Sequence, residues 1–477
     1  MKYGKAFCVL FCLAAMSRLP ALSAEEPSLT GPIAGGAHGR PFTSSLADLS
    51  AAGYVEQEYF IEGTASAYRS DRPLTPDGRW SVSPSRRAPF KTRILVRRPR
   101  DPKKFNGTVV VEWLNVSGGF DVDAEWGYAY PELMREGFVW IGVSAQHAGV
   151  MGPPLRPGFS QPLTLWDAAR YGSLSVPDDD FSYDIFSQAA RAVGPHRGKS
   201  SVDPLDGLAP ARLIGVGVSQ SANRLTTYVD AVQPLARVLD GILIGSRIGA
   251  RGGAAPLAAD VQMPDLVRIR DDLKVPVFVI ETESDVATEA AARTPDSAKF
   301  RLWELAGTAH QNKWADDYFG AEIKRDLGAA GLGGCNSPVN DLPTQHVADA
   351  AIHLLDVWVR TGKAPPTAPL VSVSVDNAQH AVTIERDKAG NALGGLRLPE
   401  LAVAAARYAG VGDPPDRCRL DGVAIPFDEA TLKALYPTHE IYVAKVKAAV
   451  EAAEKAGYLL QPEGAEEIAK AKGAAIP

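Results

Sequence analysis

The residues best suited to covalent chemistry in this chain lie in the run Gly217-Val218-Ser219-Gln220-Ser221. Small residues two before and two after a serine permit the sharp strand-to-helix turn that lifts its hydroxyl clear of a sheet. The last position is Ser221 where glycine is usual, and its side chain is small enough for the turn. A serine hydroxyl is a poor nucleophile until a histidine takes its proton and a carboxylate orients that histidine. Both types follow in the chain. Asp285 stands in Glu283-Ser284-Asp285-Val286, just past the apolar run VPVFVIET, and His310 ends Ala306–His310, just past RLWEL. Each follows its own predicted strand, so Ser219, Asp285 and His310 are the candidate catalytic residues, with Glu283 as the alternative acid. Gly215 and Gly217 admit a second reading, a dinucleotide-binding loop. That loop needs a third glycine where Gln220 stands and an acidic residue ending the next strand, whereas Asp240 begins its strand.

This chemistry requires no metal and no cofactor. The eight histidines include no HExxH pattern, and His346 and His353 fall two turns apart on one helix face, where packing is the simpler account. Trp113, Trp126, Tyr128, Trp166, Tyr171 and Trp314 could line an acyl or aryl pocket, although core packing is the commoner fate of such residues.

Three side chains so far apart in the chain need a rigid sheet whose strand ends bring them together, and the hydrophobic pattern supplies one. Tyr54–Tyr68 alternates apolar and polar residues as a half-buried strand does, with Lys91–Val96 as its partner. Thr108–Leu114 and Phe138–Val143 are nearly continuous β-branched and aromatic runs of buried strands, with a short helix predicted over Pro131–Glu136. Tyr183–Val193 has helical spacing. Arg212–Val218, Leu239–Ile244, Val275–Thr282 and Arg301–Leu305 are further predicted strands, interleaved with helices over Ser221–Val232 and Ser284–Ala292. A longer helix, Gln345–Arg360, ends at Gly362 and Pro365. Strands alternating with helices imply a mostly parallel sheet covered on both faces, an α/β protein. Residues 149–180 and 246–265 are long excursions rich in Gly, Pro or Ala. Residues 366–477 read differently, with two short strands (Leu370–Val375, Ala381–Glu385) and an Ala-rich helix near His439–Gly457.

Composition removes other classes. Of 477 residues, 45% are hydrophobic and 22% charged, the balance of a folded globular chain. The net charge is -6 with both signs spread throughout, and nothing basic exceeds Arg97–Arg98 with Arg100 and Lys103–Lys104, so nucleic acid has no electrostatic footprint to bind. Lys2 and Lys5, the apolar run Ala6–Met16 and Leu22-Ser23-Ala24 form the three-part layout of a secretory signal peptide, predicting cleavage after Ala24 and a secreted or periplasmic protein. No later stretch is long and apolar enough for a membrane span. Removal of the leader leaves Cys335 and Cys418, which an oxidising compartment would pair. Their loop of about 80 residues would be worth about 4–5 kcal/mol in the chain-entropy model.

The span from Lys91 to Thr361, with PVFVIETESDV and WELAGTAH, resembles the α/β-hydrolase superfamily, in which nucleophile, acid and histidine follow in this order. More narrowly, VVVEWLN, GVSQS, WELAGTAH, GNALGGLRLP and LYPTHEIYV resemble segments shared by a group of exported bacterial α/β-hydrolase-domain proteins. The resemblance implies the α/β-hydrolase fold, a mostly parallel central sheet with helices on both faces, plus a C-terminal extension packed on the core. It implies a Ser-His-acid hydrolase and no single substrate. By the same analogy the oxyanion hole takes the backbone N–H of Gln220 and one amide after TVVVEWL. Leu114–Gly119 lacks the His-Gly-Gly found in other members; Asn115 is the choice there, with Leu114 and Val116 as alternatives.

The expected organisation is a signal peptide over 1–24, a catalytic domain over 25–365 with lid or loop insertions near 144–180 and 246–270, and an extension over 366–477. The expected activity is that of an exported carboxylesterase acting through an acyl-enzyme on a small or polymeric ester, with no obligate protein partner. Polyester depolymerase, lactonase and amidase stay open, as does a non-catalytic glycan- or envelope-binding protein on the same fold.

Overall fold

A computed structural model describes residues 26–153, 161–198, 200–249, 252–329, 335, 337–376, 381–412, 418 and 420–477. The predicted leader lies outside the described residues, as do 154–160 in the first expected insertion and 250–251 in the second. The main sheet has nine strands: β1 (Ser28–Thr30), β2 (Tyr54–Ser70), β3 (Val82–Pro99), β4 (Thr108–Trp113), β5 (Val139–Val143), β6 (Arg212–Val218), β7 (Gly241–Gly245), β8 (Val277–Thr282) and β9 (Phe300–Leu305). Their spatial order is β1-β2-β3-β5-β4-β6-β7-β8-β9. β1, β2 and β3 pair antiparallel, β3 meets β5 antiparallel, and all pairings from β5 to β9 are parallel.

Strand periodicity divides the core into two layers. Val109, Val111, Ile141, Ile242 and Val279 face one side, and Val110, Trp140, Val216, Leu243 and Phe278 the other. The first side is covered by helices that include Ile185, Phe186, Ala222 and Leu225, the second by helices that include Trp126, Leu133, Val347, Leu355 and Trp358. The helices used below are α1 (Ala124–Arg135), α2 (Ser182–Ala192), α3 (Gln220–Thr227), α4 (Glu283–Glu289), α5 (Lys313–Leu327), α6 (Thr344–Thr361), α7 (His439–Ala456) and α8 (Gln461–Gly473). The chain leaves β4 for β5 on one side and returns to β6 on the other, so the sheet's topological switch lies at the carboxyl ends of β4 and β6. In α/β sheets a crevice opens at that point.

Several elements exceed or escape the sequence pattern. α1 begins two turns before the predicted Pro131, which sits inside it. A proline there frees the carbonyl four residues earlier; that carbonyl, of Gly127, accepts the Trp314 indole N–H at 2.9 Å. α5 was hidden because its inward face mixes Ala315, Tyr318 and Ile323 with the carboxylates Glu322 and Asp326, which breaks the apolar period. The hairpin arm β3 extends well before the predicted Lys91, since its outer half is polar and exposed.

The extension packs on the core. Leu396 bridges Leu305 in parallel, with Ala306 N–H donating to Leu396 O at 3.0 Å and Leu396 N–H to Glu304 O at 2.7 Å, so it covers the free edge of β9. α8 is tied to α1 by Arg135–Glu463 (2.8 Å), and Glu467 of α8 lies against His346 of α6. Cys335 and Cys418 are disulfide-bonded. No helix among the described residues is long and apolar enough to cross a membrane.

Two stability measurements follow from this packing. Reduction of Cys335–Cys418 lowers the melting temperature, the loss approaching about 4–5 kcal/mol if chain entropy dominates; two titratable thiols in the non-reduced folded protein would contradict the pairing. Glu125, buried without a hydrogen bond to Oε1, has its carboxyl pushed up to about 8 by desolvation. Its folded form is therefore protonated where the unfolded chain is ionised, and stability is lost as pH rises from the unfolded value toward 8. Glu125→Gln gains on the order of 3 kcal/mol over the wild type near pH 7 and nothing near pH 4, read by urea unfolding across that range.

Candidate active site

Ser219 occupies the turn between β6 and α3 with φ 62° and ψ -123°, a conformation that costs a non-glycine residue on the order of 1–3 kcal/mol. The turn is held from both sides. Ser219 N–H donates to Gly245 O at 2.9 Å, and Asn223 N–H donates to Ser219 O at 3.1 Å. Gly217 lies against the following helix: a Cβ there would stand 3.0 Å from Ser221 O. Ser221, the departure from the usual glycine, is buried and bonds back to the strand. Its Oγ donates to Val218 O at 2.9 Å and accepts Val218 N–H at 3.0 Å.

The Ser219 hydroxyl is half-buried and lies 2.9 Å from His310 Nε2. His310 Nδ1 lies 2.7 Å from Asp285 Oδ1. An ionised carboxylate only accepts, so Nδ1 carries the proton and Nε2 is left to receive that of serine. Asp285 is fully buried at the third position of α4, where Oδ2 accepts Thr282 Oγ1–H at 2.6 Å and Thr282 N–H at 3.1 Å, a capping box that fixes its rotamer. His310 is fastened through its own peptide. Its N–H donates to Ser284 Oγ (2.7 Å), and its carbonyl accepts the Tyr128 hydroxyl (3.2 Å). Burial works against a charged imidazole here, but Asp285, with a smaller contribution from Asp421, outweighs it and raises the His310 pKa above its ordinary value.

Glu283, the alternative acid, does not reach the imidazole. Its Oε1 accepts Arg386 Nη2–H (2.6 Å) and Gly410 N–H (3.1 Å), and its Oε2 accepts Gly307 N–H (2.8 Å). Its acceptors are committed to holding loops together, and Asp285 alone of the two carboxylates meets His310.

The expected second oxyanion amide is corrected by the backbone. Asn115 N–H donates to Val122 O at 2.9 Å and Leu114 N–H to Val143 O at 3.3 Å, so neither faces the serine. The Asn115 side chain instead ties the loop down, its Nδ2–H donating to Val218 O at 3.0 Å. Val116 N–H is the amide aimed at the nucleophile's neighbour, donating to Gln220 Oε1 at 3.3 Å. The Gln220 carboxamide is oriented by a chain of bonds whose directions are forced by donor and acceptor type. Trp113 Nε1–H and Gln220 Nε2–H both donate to Gln146 Oε1 at 3.0 Å, while Gln146 Nε2–H and Arg224 Nη2–H both donate to Asp179 Oδ2 at 3.0 Å. The Gln220 main-chain N–H, at the first position of α3, has no carbonyl one turn back to bond.

Ser219, Asp285, His310, Gln220 and the Asn115 loop thus meet at the carboxyl ends of β6, β8, β9 and β4. Val116 was among the alternatives for the second amide, whereas the bonds of Ser284 and of the Tyr128 hydroxyl to the His310 peptide carry no local sequence pattern. The aromatics proposed as a pocket are core residues, five of them buried and Trp314 half-buried. The one group of metal-ligand type among the described residues, Glu132, Glu136 and His353, lies toward the other end of α1, where Glu132 already holds His353 and Arg135. A cleft of about 1070 Å³ between Arg191, Arg197, Leu213 and Asp240 opens at the amino ends of the strands, away from Ser219.

A family model described as alpha/beta hydrolase domain matches residues 29–469. No curated protein matches the chain in sequence. Among solved structures the chain is similar to a dienelactone hydrolase from Anabaena variabilis at 12% identity, over 50% of this chain and 90% of that one, with a TM-score of 0.28. It is similar to acetyl xylan esterase 1 from a Thermoanaerobacterium species at 10% identity, over 51% of this chain and 80% of that one, TM-score 0.27. It is also similar to an alpha-beta serine hydrolase homologue from Coxiella burnetii at 10% identity, over 50% and 89%, TM-score 0.26.

A substitution pair separates the two carboxylates. Asp285→Asn reverses the donor at His310 Nδ1 and lowers hydrolytic turnover on the order of 10^3–10^4-fold, whereas Glu283→Gln costs far less. The reverse ranking in steady-state kinetics would move the acid to Glu283.

Proposed function

We propose that this chain, which belongs to the alpha/beta-hydrolase domain family, is a serine hydrolase that cleaves carboxylic esters through an acyl-enzyme. The observation that carries the reading is the bonded sequence Ser219 Oγ–His310 Nε2 (2.9 Å) and His310 Nδ1–Asp285 Oδ1 (2.7 Å) on a strained strand-to-helix turn. His310 Nε2 takes the serine proton as Oγ attacks the acyl carbon. The carbonyl oxygen gains negative charge beside the Gln220 main-chain N–H and the Val116 N–H, the latter exchanging the Gln220 Oε1 acceptor for the substrate oxygen, and these bonds strengthen as that charge grows. Collapse breaks the ester C–O bond, and the leaving alkoxide takes the proton from His310. A water then gives a proton to His310 and its oxygen to the acyl carbon; the acyl–Oγ bond breaks, and Ser219 Oγ takes that proton back from His310 as the acid leaves. Asp285 holds the imidazole in one tautomer and stabilises it while it is charged.

The shared segments quoted above support placement among exported bacterial α/β-hydrolase-domain proteins. The residue types of 1–24 support a cleaved leader and a secreted or periplasmic product. We divide the remainder into a catalytic domain over 25–365 and an extension over 366–477.

A fluorophosphonate probe tests the central claim. It labels the wild type and spares Ser219→Ala; no labelling of the wild type would favour a binding protein on the hydrolase fold. Ser219→Ala and His310→Ala each lower turnover of p-nitrophenyl esters on the order of 10^4–10^6-fold, and the double variant is scarcely worse than either. Additive losses would show that the two side chains do not act together.

A further inference from the structure

The acid and histidine loops are not supported by the hydrolase core alone. Among the extension's strands, β10 (Val373–Asp376) and β11 (Ala381–Ile384) form one antiparallel pair, and β12 (Ala406–Ala409) and β13 (Val423–Pro426) another. The β12–β13 hairpin presses its connection against the two loops. Gly410 N–H donates to Glu283 Oε1 (3.1 Å), and Gly410 O accepts the Ser284 hydroxyl (3.0 Å), the same hydroxyl that accepts His310 N–H. The approach is too close for a side chain: a Cβ on Gly410 would lie 2.5 Å from Ser284 N and 2.7 Å from Thr308 O. On the return arm, Gly422 sits so that a Cβ would lie 2.7 Å from Ala309 Cβ, and Leu420 O accepts Gln311 N–H at 2.9 Å. The neighbours of His310 on both sides, Ala309 and Gln311, are therefore touched by this hairpin. Arg386, just beyond β11, adds its guanidinium to Glu283.

We propose that the extension is a positioning element of the Ser219 site: Gly410 and Arg386 hold the acid and histidine loops against each other, and Asp421 stands as a second carboxylate near His310. The proposal rests on the serine-hydrolase reading and extends it to residues far outside the nucleophile, acid and histidine motifs. Asp421 is placed by its neighbours, Leu420 being bonded to Gln311 while Asp421 O accepts Asn340 N–H at 3.1 Å. Burial raises the Asp421 pKa and the attraction of His310 opposes that rise, while Asp421 in turn favours the charged imidazole. The other groups facing this corner are Asp285 from α4, Tyr128 from α1 and Asp316 from α5, the last with its carboxyl pushed up to about 6 by burial and by Asp421. Asp316 is further held by Gln311 Nε2–H at 2.6 Å.

The test uses the full chain. The His310 imidazole is titrated by NMR without substrate in wild type and Asp421→Asn. Its midpoint moves to lower pH by about half a pH unit or more, because one stabilising anion is removed. The acidic limb of kcat/KM for p-nitrophenyl acetate moves the same way. Arg386→Ala lowers kcat per fluorophosphonate-titrated site about tenfold with KM within about twofold, and Arg386→Lys restores part of it. A scaffold with no positioning role would lower Tm and the fraction of titratable sites while leaving the His310 midpoint and kcat per site unchanged; either unchanged value overturns the role of the residue tested. A shifted midpoint in a protein that turns over no ester would refute the proposed function and leave the Asp421 assignment standing.

Discussion

The carboxylate of Glu283, 2% exposed, is the constraint on which the corner around Ser219, Asp285 and His310 depends. It sits at the junction of β8 and α4 and accepts bonds from Gly307 in the histidine loop, Gly410 in the extension and Arg386 beyond β11. Three segments distant in the chain are thereby fastened to one side chain next to Asp285. An ion taken out of water this completely is tolerated only when its acceptor sites are filled, and removal of one partner is costly because the others are left facing a mismatched charge. Buried charge is satisfied in the same way in the antiparallel part of the sheet. Arg93 and Arg97, fully buried on β3, reach Asp121 and Asp123 and also the carbonyls of Phe42 and Thr43, pinning the N-terminal arm and the β4–α1 connection.

Strain and its support are matched at Ser219. Ser219 holds an unfavourable backbone conformation, and the bonds to Gly245 and from Asn223 keep it there. Ser221 adds a feature that the usual glycine cannot, a hydroxyl bonded both ways to Val218, so the departure from the common motif tightens the turn instead of loosening it. The Gln220 carboxamide is similarly determined from outside. Trp113 can only donate and Asp179 can only accept, and between them they decide which end of Gln146, and hence of Gln220, faces Val116.

What was legible in the sequence was whatever local periodicity or residue type specifies. The parallel strands announced themselves through buried β-branched runs, and Ser219, Asp285 and His310 through their places after those runs. Backbone direction was not legible: Asn115 and Val116 are adjacent, and only the bridge of Asn115 to Val122 shows which amide is spent. α5 was missed because Glu322 and Asp326 lie on its buried face, where a sequence pattern expects apolar residues. The β12–β13 hairpin was missed because its strands are four residues each and its work is done by two glycines whose neighbours lie more than 100 positions earlier.

The cover on β9 has a consequence for the order of folding. Every residue of Phe300–Leu305 is buried in the finished molecule, yet the bridge that closes its outer edge comes from Leu396. A chain emerging from synthesis therefore completes its apolar edge strand well before the segment that covers it exists. Until then the edge offers unpaired N–H and C=O groups to any neighbouring strand, including the same strand of another copy. The hydrolase core and the extension are in this sense one cooperative unit, and the interval between the two is the period in which self-association competes with folding.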